Sequence, residues 1–426
     1  MSITERRPLS RALLGLAALA QLVGTVSVWS APPPGSHQLG ALGHARNHHT
    51  ATLLANGNVL VFGGWYGASI AVPADVQAEV LNASFGTQWV VPLPSGMLGR
   101  WGHTATALAP GEVLILGGYD GQKALDDALL YSYDPKNPKD KGSFRLLKDA
   151  HLNLPRAGHS ATRLKDKCIV VVGGREGDST IEFVAKTPAE AKNCQRLHAA
   201  PWDSTASPRN VHTATLLRET LVLTGGGGTS LVDVYNVRTG QHTHFTSLTI
   251  GGDHQTATLL DDRHILFAGG SLYQKVATTW TENSDVRRVN ELALAVPRAT
   301  HFAVALEDSR VALIGGASGS GPGPWGGGCH VRLPGCIIVT PSGGACAIPC
   351  VDICNIDRDG APTSCEVGNP VPYAHYDGAA TCLRDGSVLL SGGSDTYQTG
   401  ATDRISVVTL EMTQGGKALK LKCRPD

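Results

Sequence analysis

Three groups of residues in this sequence could do chemistry. The first is the stretch Asn355-Ile-Asp357-Arg-Asp359-Gly360-Ala361-Pro-Thr363-Ser-Cys365-Glu366. Side-chain oxygens at alternating positions (Asn355, Asp357, Asp359), a glycine for a sharp turn, a backbone carbonyl at Ala361 and a carboxylate at Glu366 suit a hard cation such as Ca2+. Pro362 stands where such a loop has an apolar residue, and no flanking helices are evident, so a plain acidic Asp-Gly turn is the competing reading. The second group is a recurring Arg-x-x-His: Arg46/His49, Arg100/His103, Arg156/His159, Arg209/His212 and Arg298/His301. A ring of planar guanidinium forks could hold carboxylates or an acidic peptide. The same recurrence also suits a structural duty, each pair capping backbone groups between repeating units. The third group is aromatic. Trp65, Tyr66 and Tyr119 each follow a Gly-Gly pair closely and could line one face, with Trp101, Trp325 and Tyr373 as further candidates; packing between units is the alternative.

The elements that position these residues come from an internal repeat. Seven four-residue runs, apolar throughout in five and ending in Thr224 and Ser391 in the other two, lead into Gly-Gly: Val59–Phe62, Val113–Leu116, Ile169–Val172, Leu221–Thr224, Ile265–Ala268, Val311–Ile314 and Val388–Ser391. The first glycines are Gly63, Gly117, Gly173, Gly225, Gly269, Gly315 and Gly392, at spacings of 54, 56, 52, 44, 46 and 77 residues. A short run without polar alternation belongs to a strand buried on both faces. Upstream of it lies a second strand and a tight turn, as in Asn56-Gly57, Asp385-Gly386 and Pro110-Gly111. Many short strands around glycine-rich turns, with 51 Gly and 5% aromatics, fit an all-β repeat architecture.

Cysteine use and the start of the chain bear on compartment. Ten cysteines occur: Cys168, Cys194, Cys329, Cys336, Cys346, Cys350, Cys354, Cys365, Cys382 and Cys423. An even number behind an export signal favours disulfides over metal thiolates. Cys168 with Cys194 is a plausible pair because both fall in the third repeat; the remaining connectivity stays open. Residues 1–31 read as a signal peptide, with Arg6, Arg7 and Arg11 before the mostly apolar, uncharged stretch Leu13–Val28 and a proline run after it. The expected location is therefore secreted or periplasmic, with no stable membrane span after cleavage. Removing 1–31 leaves 33 basic and 35 acidic residues, a net charge of −2, so there is no electrostatic footprint for nucleic acid. The 77-residue spacing in the sixth repeat marks an insertion, read here as a Cys-rich loop over residues 319–370, rich in Gly and Pro at its start.

Five repeats place Arg-x-x-His before the Gly-Gly strand, the His lying 14 residues ahead of the first glycine in four and 13 in the fourth repeat. Gly118-Tyr119-Asp120-Gly121 adds a further match. On these residues the chain, from about 40 to 423, resembles the kelch-repeat family, and is similar to the propeller domain of the secreted galactose oxidases. The resemblance implies an all-β, seven-bladed kelch-type propeller over residues 32–426, with six blades as the alternative. It also implies that the Arg-x-x-His arginines face the mouth of the ring, where a ligand binds. The fifth repeat departs from the pattern with Gly252 and Gln255, the seventh with His375 and Gly378. No Tyr-His dipeptide occurs, so the copper site of the oxidases has no counterpart.

The function expected from the sequence is a non-enzymatic, extracytoplasmic binding scaffold, acting as a monomer on a protein or glycan ligand. Its expected ligand residues are Arg46, Arg100, Arg156, Arg209, Arg298, Trp65, Tyr66 and Tyr119. No catalytic residue is assigned, and Ca2+ at Asn355, Asp357, Asp359, Ala361 and Glu366 is the one cofactor considered. The alternative is a secreted or periplasmic carbohydrate-modifying enzyme, a mutarotase or epimerase, for which Glu112, Glu176 and Asp120 could supply acid or base.

Overall fold

A computed structural model describes residues 37–425 apart from 67–69, 72–76, 83–86, 175–178, 199–204, 206, 247–251, 271–275, 282–291, 319–329, 334–335, 340–345, 372, 374–376, 395–400 and 415–416. The expected signal peptide and Cys329 lie outside the described residues. The apolar runs form the second strands of antiparallel sheets. Sheet 1 comprises Thr50–Leu53, Val59–Phe62, Ala78–Asn82 and Thr87–Val91. Sheet 2 comprises Thr104–Ala109, Glu112–Tyr119, Ala124–Ser132 and Ser143–Leu147. Sheet 3 has Ser160–Arg163, Ile169–Val172 and Ile181–Val184; sheet 4 has Thr213–Leu217, Thr220–Thr224, Leu231–Asn236 and His242–Thr246. Sheet 5 is built from Thr256–Leu259, His264–Ala268, Val276–Thr281 and Leu292–Ala293. Sheet 6 uses Phe302–Ala305, Arg310–Ile314, Val351–Ile356 and Pro362–Val367. Sheet 7 joins Ala379–Cys382, Val388–Ser391 and Arg404–Val408 to His37–Ala41.

The chain is thus an all-β propeller in which the first strand of each sheet neighbours the first strand of the next, from sheet 7 back to sheet 1. Six sheets have the full four strands of a blade, the alternative count rather than the expected seven, and sheet 3 has three described strands. Beside its third strand runs the helix Pro188–His198 instead. Thr187 Oγ1 accepts the Glu190 N–H, Pro188 begins the helix and Glu190 lies in its first turn, a helix-opening arrangement. The Cys168–Cys194 disulfide ties this helix to sheet 3, as the shared repeat suggests.

Burial on both faces of the second strand follows from the ring. Leu60 and Phe62 pack toward sheet 2 with Val113 and Ile115, while Val59 and Val61 pack toward sheet 7 with Leu389 and Val407. The same alternation repeats round the ring, as where Leu266 and Ala268 meet Val311 and Leu313. Each fully buried aliphatic side chain contributes roughly 1.5–3 kcal/mol, so the interfaces between sheets are the principal core.

The ring is closed by the first described strand, not by the last. His37–Ala41 pairs antiparallel with Arg404–Val408 as the outermost strand of sheet 7. Lys417–Leu421 instead forms a hairpin with Leu410–Gln414, and Cys423 behind it is bonded to Cys382 of sheet 7. The Cys-rich insertion is narrower than 319–370. Val351–Ile356 and Pro362–Val367 are the third and fourth strands of sheet 6, bridged by Cys354–Cys365. Outside them the insertion retains two short pairings, His330–Leu333 with Cys336–Val339 and Ala317–Ser318 with Cys346–Ala347. Cys350 is also disulfide-bonded, and no cysteine is free among the described residues.

Candidate functional site

The recurring arginines are consumed by the sheets that carry them. All five are fully buried. Each donates from Nη1 to the carbonyl of its own sheet's first glycine: Gly63 (3.0 Å), Gly117 (3.2 Å), Gly173 (2.5 Å), Gly225 (2.5 Å) and Gly315 (3.0 Å). Each also pairs with an acid on the third strand or at its edge: Arg46 with Glu79, Arg100 with Asp127, Arg156 with Glu182, Arg209 with Asp233 and Arg298 with Asp352. Burial lowers the pKa of Arg46 and Arg298, and the facing Glu79 and Asp352 oppose that shift. The assignment of Arg46, Arg100, Arg156, Arg209 and Arg298 to a ligand is therefore corrected. A guanidinium buried against its blade's own carbonyl and carboxylate is not presented at the mouth.

The two sheets without the arginine also lack the acid. Four of the acids stand opposite the residue two before Gly-Gly: Glu79 opposite Val61, Glu182 opposite Val171, Asp233 opposite Leu223 and Asp352 opposite Leu313. In sheet 5 that register places Thr278 opposite Phe267, and in sheet 7 Ser406 opposite Leu390. Arginine and carboxylate are gained or lost as a pair, as expected when either charge alone would be buried without compensation.

The histidines stitch one sheet to the one before it. His103 Nε2 lies 3.0 Å from Thr50 Oγ1, His159 3.1 Å from Thr104 Oγ1, His212 2.8 Å from Ser160 Oγ, and His301 2.9 Å from Thr256 Oγ1. His49 closes the ring at 2.9 Å from Ser391 Oγ. Gln255, in the histidine slot of sheet 5, keeps the link by donating from Nε2 to Thr224 Oγ1. Burial, reinforced by the neighbouring arginines, pulls His103, His159 and His212 down to about 3 and His301 well below its ordinary value. The rings of His103, His159, His212 and His301 are neutral structural struts.

The mouth itself is lined by the residue two after each arginine position: His48, Gly102, Gly158, Val211, His254, Thr300 and Asp377. All seven have left-handed backbone, with φ between 51° and 71°. Their peptides link round the axis. His48 N–H donates to the Asp377 carbonyl (2.8 Å), Asp377 to Thr300 (3.4 Å) and Thr300 to His254 (3.1 Å). On the other side Val211 donates to Gly158 (2.9 Å) and Gly158 to Gly102 (2.7 Å). The mouth is therefore two-sided: one arc carries His254, Thr300, Asp377 and His48, the other only Gly, Gly and Val. Non-glycine residues in this conformation carry strain and concentrate at functional positions.

The aromatic residues stand beside the polar arc. Trp65 and Tyr119 sit two residues past their first glycine and bridge to Asn47 and Trp101, each beside a mouth position. The His48 ring stacks on Trp65 at 5.6 Å and lies 6.4 Å from Trp101. Trp65 and Trp101 are 6.3 Å apart, Tyr119 meets Trp101 edge-on at 5.4 Å, and Tyr66 lies 4.9 Å from His44. Asp377 completes the group, its Oδ2 lying 4.0 Å from His48 Nε2. Burial raises its pKa to about 6, with His254 opposing, and burial lowers that of His48 to about 4. The structure thus brings together Trp65 and Tyr119, while Tyr66, the next residue along the strand, lies against His44 instead; it adds Trp101, His48 and Asp377. Of those three, sequence reasoning noted only Trp101. The signal was the middle of the Arg-x-x-His motif, which looks like filler in a repeat.

Asn355–Glu366 is a β-hairpin, which corrects the calcium expectation. Asn355 lies in the third strand of sheet 6 and Glu366 in the fourth, opposite Ile353. The Asp357 carboxylate accepts the N–H groups of Asp359 (3.0 Å) and Ala361 (2.7 Å), and the Ala361 carbonyl accepts that of Asp357 (2.9 Å). The Asn355 amide donates to Ser364. The Asp357 and Ala361 oxygens are occupied by the turn, and the strands carry Glu366 away from it; the described residues hold no His, Cys, Asp or Glu group arranged for a metal.

No protein-family model matches the sequence. Among curated proteins, it is 31% identical over 135 residues to Adagio-like protein 1 of Oryza sativa subsp. japonica, covering 32% of this chain and 20% of that protein. It is 31% identical over 176 residues to Adagio-like protein 3 of the same plant, covering 40% of this chain and 26% of the relative. An F-box/kelch-repeat protein of Arabidopsis thaliana is 30% identical over 139 residues, covering 31% and 28%. Fold and similarities are together consistent with a kelch-type propeller. The matched stretches span roughly a fifth to a quarter of the relatives' length.

Proposed function

We propose that this chain is a protein-interaction scaffold acting outside the cytoplasm, binding its partner at the mouth of the propeller. The observation that carries the reading is the asymmetric mouth. A repeat left to structural duty alone would present the same residue in every sheet, yet this ring sets His254, Thr300, Asp377 and His48 against Gly102, Gly158 and Val211. The similarity to an F-box/kelch-repeat protein supports a scaffold rather than an enzyme. The burial of the arginines removes the group that a carbohydrate-modifying enzyme would have used for a carboxylate. Disulfides at Cys168–Cys194, Cys354–Cys365 and Cys382–Cys423 support an oxidising compartment. We also count sheet 3, held between sheets 2 and 4, as a seventh and incomplete blade; its packing on both sides supports that count.

The test is a combined peptide and glycan array probed with residues 32–426. Peptide binding that is lost on Trp65→Ala is the expected result. Binding of glycans alone would replace the partner class, and binding unaffected by changes at the mouth would remove the site.

A further inference from the structure

We propose that the mouth takes a cationic side chain of a partner protein, a lysine ammonium or an arginine guanidinium, between the Asp377 carboxylate and the rings of His48, Trp65 and Trp101. This rests on the protein-scaffold reading and gives that site its charge preference, which is the reverse of what the five arginines suggested in the sequence.

Three observations converge. First, Asp377 is a largely buried carboxylate, its side chain 18% exposed, facing two histidines, His48 at 4.0 Å and His254, whose charge interaction opposes the effect of burial. No lysine or arginine among the described residues pairs with it. A desolvated carboxylate without a cation is a costly arrangement, and an incoming cation relieves it. Second, His48 does not fill that role, because burial keeps its ring neutral down to about pH 4. Third, Trp65, Trp101 and the His48 ring enclose one flank, with centroids 5.6–6.4 Å apart, and all three remain partly exposed. The negative faces of aromatic rings attract a cation and repel a carboxylate, so carboxylate and rings select the same sign of charge.

The backbone explains why the acid stands here. Asp377 has φ 55°, a conformation that Asp and Asn tolerate better than other non-glycine residues. Asp377→Asn keeps both shape and backbone tolerance while removing the charge, which makes it the discriminating variant.

The experiment titrates the peptide Ac-Gly-Lys-Gly-amide, and its arginine counterpart, into residues 32–426 and follows tryptophan fluorescence. The norleucine and glutamate analogues and methyl galactoside are run alongside. The proposal expects a saturable response to the two cationic peptides only, weakened by about 10-fold in Asp377→Asn and in Trp65→Ala. It is overturned if no saturable response appears, if norleucine or glutamate serves as well, if the sugar alone binds, or if Asp377→Asn binds unchanged. Cationic peptides that bind while the array yields no peptide partner would remove the scaffold reading alone. Array binding that survives Asp377→Asn would remove this inference alone.

Discussion

At the residue scale the molecule depends on charges that meet inside it. Arg209 and Asp233 are both fully buried and joined at 2.6 Å. Asp233→Asn should therefore destabilise by about 3–5 kcal/mol in denaturant unfolding. Sheet 5 shows the permitted way to lose the pair, with Gly252 and Thr278 at the two positions. The double variant Arg209→Gly/Asp233→Thr should cost clearly less than the sum of its singles, and additive costs would contradict a paired loss. Val211 makes an opposite prediction. It is β-branched, 45% exposed and at φ 51°, where the two preceding mouth positions are glycines. Val211→Gly should stabilise by about 1 kcal/mol, read as a rise in unfolding midpoint. The histidine struts set the acid limit. Their folded pKa values lie below the unfolded value of 6.5, so the unfolded chain takes up protons first as pH falls. Stability should be flat above about pH 6.5 and drop below it by about 1.4 kcal/mol per pH unit for each ring, levelling only near pH 3. His103→Gln, which copies the link made by Gln255, should reduce that slope.

At the element scale the Gly-Gly pair is where one sheet reads the next. A Cβ on Gly173 would stand 2.1 Å from the Arg209 carbonyl, and the Gly174 N–H donates to that carbonyl at 2.8 Å. With φ 64° added, Gly173→Ala should cost more than about 1 kcal/mol and loosen the contact between sheets 3 and 4, measurable as faster amide exchange of Ile169–Val172. This level was largely legible. Apolar runs, glycine pairs and histidine spacing all mark real strands, turns and struts. The helix after sheet 3 was missed although Thr187-Pro188-Ala-Glu190 carries an opening signature, because a repeat pattern invites reading every gap as strand. The Asn355–Glu366 hairpin was misread for a related reason. Acidic residues at alternating positions suit both a cation loop and a turn, and only the pairing of Ile353 with Glu366 decides between them.

At the scale of the whole molecule, sequence reasoning supplied the ring and misplaced its mouth. The arginines recur with the blade, so they serve the blade, and the acids that claim them lie 24 to 54 residues away on another strand. The seven mouth positions do not share a residue type, which hid them from a search for self-similarity. What unites them is a backbone conformation and two arcs of peptide hydrogen bonds. The Cys382–Cys423 bridge joins the chain's end to sheet 7 across 41 residues. Cys382→Ser/Cys423→Ser should lower stability by about 2–4 kcal/mol, checked by thermal unfolding with and without reductant.

The strand His37–Ala41 has a further consequence. It leaves the ribosome before any sheet exists, yet its partner Arg404–Val408 belongs to the last. Until that partner has been made it has no sheet to join, while six sheets are laid down between the two halves of one clasp. A chain halted early would therefore carry an open ring with two unsatisfied ends, a natural mark by which quality control could tell an unfinished product from a finished one.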